Sequence, residues 1–194
     1  MDIEIPLLEL GELDIDPLRN AILGLPPEAW LDQQYRQQTY DVHRYTESVV
    51  LVFTDGVGWP EIEVSRQSGW DLLADVAVPV MQDIIARHYP AGGTIIRAMA
   101  AKLLVGGIIK PHTDRHPSFH HGHRIHIPIT TNPRVRFMID GRPYKLQVGQ
   151  VYEINNQKQH SVMNKGTEDR ITFIFDYVPP NLIDRSAQSS EVHR

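Results

Sequence analysis

The spacing of apolar positions changes character near residue 92. Upstream, helical and extended signals alternate. Asp16-Pro17 opens a helix, with proline at its first position and helix formers in LRNAILGL behind it. Pro26-Pro27 ends that run, and EAWLDQQYRQ reads as a second short helix. Residues 38–54 are extended, rich in Thr, Tyr and Val, and lead into the turn chemistry of Asp55-Gly56. The strongest helical signal covers residues 69–89, with Leu73, Val76, Met81, Ile84, Ile85 and His88 near helical spacing. Pro79 is expected to break or kink it, leaving Met81–His88 as its firm part. The helix stops at Pro90-Ala91-Gly92-Gly93.

After Gly93 the period becomes two. Strands are predicted at 94–105, 108–112, 123–130, 134–139, 143–147, 150–154, 159–163 and 169–177, separated by Gly, Pro, Asn and Asp. Many short strands with such punctuation predict a sandwich or barrel. The expected organisation is a single domain over 1–194: a mixed helical and extended support at 1–92, a strand-built core at 93–178, and a polar tail at 179–194.

Composition narrows the chemistry. The chain has no cysteine, which excludes zinc fingers, iron–sulfur clusters, thiol nucleophiles and disulfides. A net charge of −5 argues against nucleic acid as a partner. No apolar run reaches a membrane span, and the acidic start MDIEIPLLELGELDID lacks a signal peptide's basic region, so a cytoplasmic protein with no membrane partner is expected. One feature is out of proportion. Six of the ten histidines, His112, His116, His120, His121, His123 and His126, fall within 15 positions. In a cysteine-free chain this points to metal binding through nitrogen and oxygen ligands; the plain alternative is a solvated polar loop.

In Lys110-Pro-His-Thr-Asp114, strand alternation puts His112 and Asp114 on one face. A third ligand has to come from elsewhere, and His160 is the candidate. Two histidines and one carboxylate form the facial triad of non-haem Fe(II) oxygenases, which leaves room for a bidentate cosubstrate and O2. Zinc would more often take a third histidine or an HExxH helix, which is absent. An HxD alone is weak, since most occurrences are accidental and a surface histidine beside an aspartate is the plainer explanation.

Arg170 strengthens the case. It opens RITFIFDY, where Arg170, Thr172 and Ile174 share one face and Ile171, Phe173, Phe175 and Tyr177 the other. A strand apolar on both faces is buried on both, so its arginine needs an anion. That anion is either a ligand carboxylate, which the planar guanidinium fork suits, or an internal partner among Glu168, Asp169 and Asp176. Arg124 and His126 also share a face, beside Ile125 and Ile127. They would grip a second carboxylate, or belong to a solvent-facing hairpin.

Together PHTD, RIH, the glycine-punctuated run to QHSVMNKG, and the arginine of DRITFIFDYV resemble the aspartyl/asparaginyl β-hydroxylase family over residues 94–178. These are Fe(II)- and 2-oxoglutarate-dependent dioxygenases. The resemblance implies a mainly β fold, a double-stranded β-helix (a cupin-like jelly roll), here with supporting N-terminal helices. It implies that His112 and His160 bind iron, that Arg170 holds the distal carboxylate of 2-oxoglutarate, and that Arg124 and His126 lie near its keto-acid end. Asn164 matches the turn after the second histidine. Two departures stand out. Animal members carry glycine where this chain has Asp114, so a full triad of His112, Asp114 and His160 is expected here. The family's serine that assists the distal carboxylate has no obvious counterpart, its position falling near Ala101.

The expected activity is therefore hydroxylation of an unactivated C–H of an amino acid or amino-acid side chain. Fe(II), 2-oxoglutarate and O2 would be used, and succinate and CO2 released. The partner would be a small-molecule or peptidyl amino-acid substrate. A metal-binding jelly roll without turnover, or a cupin-like metalloenzyme that is not an oxygenase, are the alternatives. Trp30, Trp59 and Trp70 are expected in the core, Arg44 and Tyr45 on a surface edge strand, and His116, His120, His121 and His123 in a solvated loop beside the site.

Overall fold

The computed structural model describes residues 1–31, 45–54, 63–180 and 182. The predictions for Arg44, the Asp55-Gly56 turn, Trp59 and the polar tail beyond Leu182 lie outside them, as do the second helix beyond Leu31 and the extended segment before Tyr45.

Eleven strands make two sheets among the described residues. In chain order they are β1 (Leu7–Glu12), β2 (Thr46–Thr54), β3 (Val64–Arg66), β4 (Thr94–Leu103), β5 (Ile108–His112), β6 (His123–Pro128), β7 (Val135–Ile139), β8 (Arg142–Tyr144), β9 (Gln150–Ile154), β10 (His160–Asn164) and β11 (Arg170–Val178). The larger sheet runs β1-β9-β6-β11-β4-β2-β3 and the smaller β5-β10-β7-β8. All neighbours are antiparallel. The fold is mainly β, and residues 1–92 add β1, β2 and β3 to the larger sheet as well as helices to its back.

Three helices, α1 (Asp16–Leu23), α2 (Pro27–Leu31) and α3 (Gly69–His88), pack on the outer face of that sheet. There Leu18, Ile22, Trp30, Leu73, Ala77, Met81 and Ile84 meet Ile125, Ile127, Phe173 and Phe175. Trp30 is core, as expected, while Trp70 is only partly buried against it. The kink expected at Pro79 does not divide α3, which runs as one helix. Pro79 lies on its exposed side, opposite the buried stripe of Leu73, Ala77, Met81 and Ile84, so water can satisfy the carbonyl that proline leaves unbonded.

The inner face of the larger sheet meets the smaller one over a second core of Leu103, Phe137, Ile139, Leu146, Tyr152, Ile154 and Val162. Asp140-Gly141, part of the Gly, Pro, Asn and Asp punctuation between the predicted strands, turns the chain between β7 and β8. Asp140 and Gly141 both take positive φ, 51° and 72°, the backbone that a two-residue hairpin needs. Asn164 is fully buried and clasps the turns at this end. Its amide donates to the carbonyls of Glu168 (2.8 Å) and Leu103 (3.3 Å), and its oxygen accepts from Gly166 N (3.1 Å).

Candidate metal centre and anion pocket

His112 ends β5 and His160 begins β10. The two are direct antiparallel partners, so register alone brings 48-residue neighbours to one spot. Their rings lie 4.4 Å apart between centroids. Asp114 follows two residues after His112, its backbone N–H donating to the Asn156 carbonyl at 3.2 Å. One ligand atom from each of His112, Asp114 and His160 falls within 4.8 Å of the others. The structure thus assembles the three residues that the sequence singled out.

The local geometry suits a metal. Nδ1 of His112 lies 2.8 Å from the Lys110 carbonyl and Nδ1 of His160 lies 3.0 Å from that of Lys158. A carbonyl can only accept, so each Nδ1 carries the proton and each Nε2 keeps a free lone pair. His112 Nε2 is 3.8 Å from Asp114 Oδ1. Burial lowers the affinity of His160 for a proton, which keeps its ring in the neutral, ligating form.

Asp114 is held from behind. Its Oδ2 accepts from Arg124 Nη1 at 2.7 Å. The other two arms of Arg124 fork onto Asp176, Nε to Oδ1 at 2.9 Å and Nη2 to Oδ2 at 3.0 Å. Asp176 also accepts from Arg97 Nη1 at 3.2 Å, and Arg97 Nη2 donates to Ser118 Oγ at 2.9 Å. Burial opposes the charge of Arg124, but Asp114 and Asp176 outweigh it and raise its pKa. Burial likewise disfavours the Asp176 carboxylate, and Arg124 and Arg97 overcome that and hold its pKa below the usual value. Phe119 is wedged against this network, its ring 4.4 Å from the guanidinium carbons of both Arg97 and Arg124.

Arg170 differs from both. It is 6% exposed and has neither a salt bridge nor a hydrogen bond among the described residues, and its Nη2 is buried without a partner. The three internal partners weighed for it are engaged elsewhere or out of reach. Asp176 is taken by Arg124 and Arg97. It also lies six residues along the same strand, about 20 Å away at the usual rise. Asp169 accepts from Val105 N. Glu168 makes no ion pair among the described residues. Burial drags the pKa of Arg170 from 12.5 down to about 10. An unpaired buried guanidinium is a site for an anion.

His126 shares the inner face with Arg124 and Arg170. Burial, and then the charges of Arg124 and Arg170, push its pKa well below 6.5, so it is neutral, and its buried Nδ1 lacks a partner. The expected solvated histidine loop holds only in part. His120 is exposed, but His116 caps the 3-10 turn Pro117–His120, its Nδ1 2.7 Å from Ser118 Oγ. His123 opens β6 and lies 2.6 Å from buried Glu153, which also accepts from Tyr89 at 2.8 Å. Tyr45 is exposed, but it lies in the turn before β2 and not on an edge strand, since β2 is flanked by β4 and β3.

Sequence reasoning missed Arg97, Ser118, Phe119 and the bridging role of Asp176. The signal for Asp176 was present, since it shares the parity of Arg170 along β11 and so faces inward.

The donor set fits Fe(II): two neutral imidazoles and one carboxylate on one side, with an anion pocket on the same inner face. The chain matches the family model for "Aspartyl/Asparaginyl beta-hydroxylase" over residues 29–180. No curated protein matches it. Among solved structures it resembles a viral collagen prolyl hydroxylase from Paramecium bursaria Chlorella virus-1 in complex with 2-oxoglutarate. That likeness has a TM-score of 0.56 and 7% identity, and covers 90% of this chain and 96% of the other. It also resembles HygX from Streptomyces hygroscopicus, solved with nickel, 2-oxoglutarate and hygromycin B (TM-score 0.52, 11% identity, 90% and 83% covered). A third is an oxidoreductase of the 2OG-Fe(II) oxygenase family from Burkholderia pseudomallei (TM-score 0.51, 12% identity, 70% and 69% covered). At these identities the likeness is one of fold.

Proposed function

The chain belongs to the aspartyl/asparaginyl β-hydroxylase family, an oxygenase family that works with Fe(II), 2-oxoglutarate and O2, and from that premise we propose that its inner pocket hydroxylates an unactivated C–H of an amino acid or amino-acid side chain. Fe(II) is held by His112, Asp114 and His160. Arg170 takes the distal carboxylate of 2-oxoglutarate, and Arg124 and His126 flank the keto-acid end. The observation that carries this is the pairing of a three-ligand cluster within 4.8 Å with a buried guanidinium that has no internal counter-ion. A sensor module needs the first feature alone.

The bound metal supplies the redox chemistry. The chain's own work is positional. The Lys110 and Lys158 carbonyls aim both Nε2 lone pairs at one point. Arg124 engages one oxygen of Asp114 and leaves Oδ1 turned toward His112. Neutral His126 adds no charge that would repel the metal. Arg170 offers a charge-assisted bidentate grip, whose reach fixes how the cosubstrate lies.

The test is product analysis. Protein with Fe(II), ascorbate, 2-oxoglutarate and a library of free and peptidyl amino acids is followed by succinate release and mass spectrometry. The reading predicts succinate, together with one substrate gaining the mass of an oxygen atom. No succinate with any member, with iron bound, would contradict it.

A further inference from the structure

Strand register sets three charged residues in a row across the inner face of the larger sheet. Asp176 of β11 lies directly opposite Arg124 of β6 on one side and opposite Arg97 of β4 on the other. It is the one acidic residue of β11 and is 1% exposed. Arg124 spends one edge of its guanidinium on it, Nε to Oδ1 at 2.9 Å and Nη2 to Oδ2 at 3.0 Å. Arg97 adds Nη1 to Oδ2 at 3.2 Å. Directly opposed side chains in a sheet are close enough for such contacts, so the ladder itself fixes the row.

Asp114 has no ladder to hold it. It follows the end of β5 in a loop, where its N–H donates to the Asn156 carbonyl at 3.2 Å. That bond fixes the backbone and leaves the carboxylate free to turn, since the last torsion of an aspartate has broad preferences. The side chain is steadied by one arm of Arg124, Nη1 to Oδ2 at 2.7 Å. A guanidinium is planar and rigid, so binding Nε and Nη2 along one edge settles where Nη1 points. Here it points at Asp114 and leaves Oδ1 on the side of His112, 3.8 Å from its Nε2. The Phe119 ring, 4.4 Å from the guanidinium carbons of Arg97 and Arg124, packs across both planes and limits their rotation.

We propose that Asp176 is a positioning residue of the metal centre that acts through Arg124: its carboxylate binds one edge of that guanidinium and so aims the opposite arm at Asp114, which keeps Oδ1 of Asp114 free for the metal. This rests on the reading of His112, Asp114 and His160 given above and adds the residue that orients the carboxylate ligand. Arg97 neighbours the row without setting the aim, because the fork of Arg124 on Asp176 is complete without it.

The experiment is titration of the metal-free protein with Co(II) alone, read by its visible bands, with melting temperatures taken before metal is added. Wild type is compared with Asp176→Asn, Arg124→Lys and Arg97→Gln, and Asp114→Ala and His160→Ala serve as references. Asp176→Asn keeps the size of aspartate but loses one of the two acceptors of the fork. Arg124→Lys keeps every charge and loses only the fork. Both should bind Co(II) about 10–100-fold more weakly, the loss typical of residues behind metal ligands. At saturation their bands should move toward those of Asp114→Ala. Arg97→Gln removes a charge but leaves the fork, so it should bind Co(II) as tightly as wild type or more tightly, even with a lower melting temperature. If Arg124→Lys binds Co(II) like wild type, the proposal falls, and the metal centre stands provided that His160→Ala has lost its affinity. Weaker binding with unchanged bands in Asp176→Asn and Arg124→Lys also overturns it, because Asp114 then still reaches the ion. A loss in Arg97→Gln equal to that in Asp176→Asn means general damage to the row and overturns it too. Should Asp176→Asn fail to fold, Arg124→Lys and Arg97→Gln decide by the same outcomes. Wild type that binds Co(II) no better than His160→Ala overturns the reading of the metal centre itself.

Discussion

Arg170→Met should make the ligand-free protein more stable and the enzyme useless. Methionine keeps the length and apolar stem of arginine and removes the charge. In the folded protein that charge is 6% exposed, has no hydrogen bond or ion pair among the described residues, and has its pKa lowered by burial from 12.5 to about 10. At about 1.4 kcal/mol per pKa unit, the folded state carries about 3 kcal/mol of unrelieved desolvation. Removing it should raise the melting temperature by several degrees, at about 2–4 °C per kcal/mol for a chain of this size. The gain is an upper bound, because the stacking of the guanidinium 5.5 Å over the Phe137 ring is lost as well. Thermal melts with and without 2-oxoglutarate and Mn(II) read both effects. Wild type should gain stability with 2-oxoglutarate as ligand binding to the folded state requires, and Arg170→Met should gain little. A variant that melts well below wild type, with wild type indifferent to 2-oxoglutarate, would mean that Arg170 serves the fold and not a ligand.

Three further outcomes follow from the same geometry. His112→Ala and His160→Ala should each abolish succinate formation and weaken metal binding, read by titration with Co(II), well beyond the 10–100-fold typical of residues behind the ligands. Asp114→Gly should bind iron clearly less tightly yet turn over at large Fe(II) excess, since Arg124 keeps its fork on Asp176 and the pocket stays built; silence at saturating iron would make the carboxylate obligatory. The melting temperature of metal-free protein should fall as pH drops below about 6.5, because unfolded His126 and His160 bind protons that their folded forms resist, and should fall again as the Asp176 carboxylate is protonated at lower pH; His126→Gln should flatten the first decline, and an unchanged profile would contradict a neutral buried His126.

Much of the fold was legible because local pattern and tertiary demand agree. The period-two run after Gly93 gave all eight strands of that half within a few residues, and the Asp-Gly hairpin follows from turn chemistry alone. Pro79 misled because a proline signal is local, while its cost depends on which side of the helix it faces. The metal ligands were legible in two parts: HxD alternation put His112 and Asp114 on one face, while His160 stood out as a candidate on a distant strand through the family resemblance, and the register that seats it opposite His112 is a tertiary fact neither segment encodes. The fate of Arg170 could be framed but not decided, because its partner depends on where Asp176 points. The cross-strand chain from Asp114 through Arg124 and Asp176 to Arg97 joins four separated segments, and no single-segment pattern encodes it.

The central claim, that one pocket binds Fe(II) and 2-oxoglutarate together, is tested most directly by the visible absorption spectrum of the anaerobic protein. Fe(II) and 2-oxoglutarate added together should produce a weak metal-to-ligand band in the green region. Either component alone should not, and the band should be lost in His160→Ala and reached only at much higher 2-oxoglutarate in Arg170→Ala. Absence of the band in wild type with both components in excess would contradict the account.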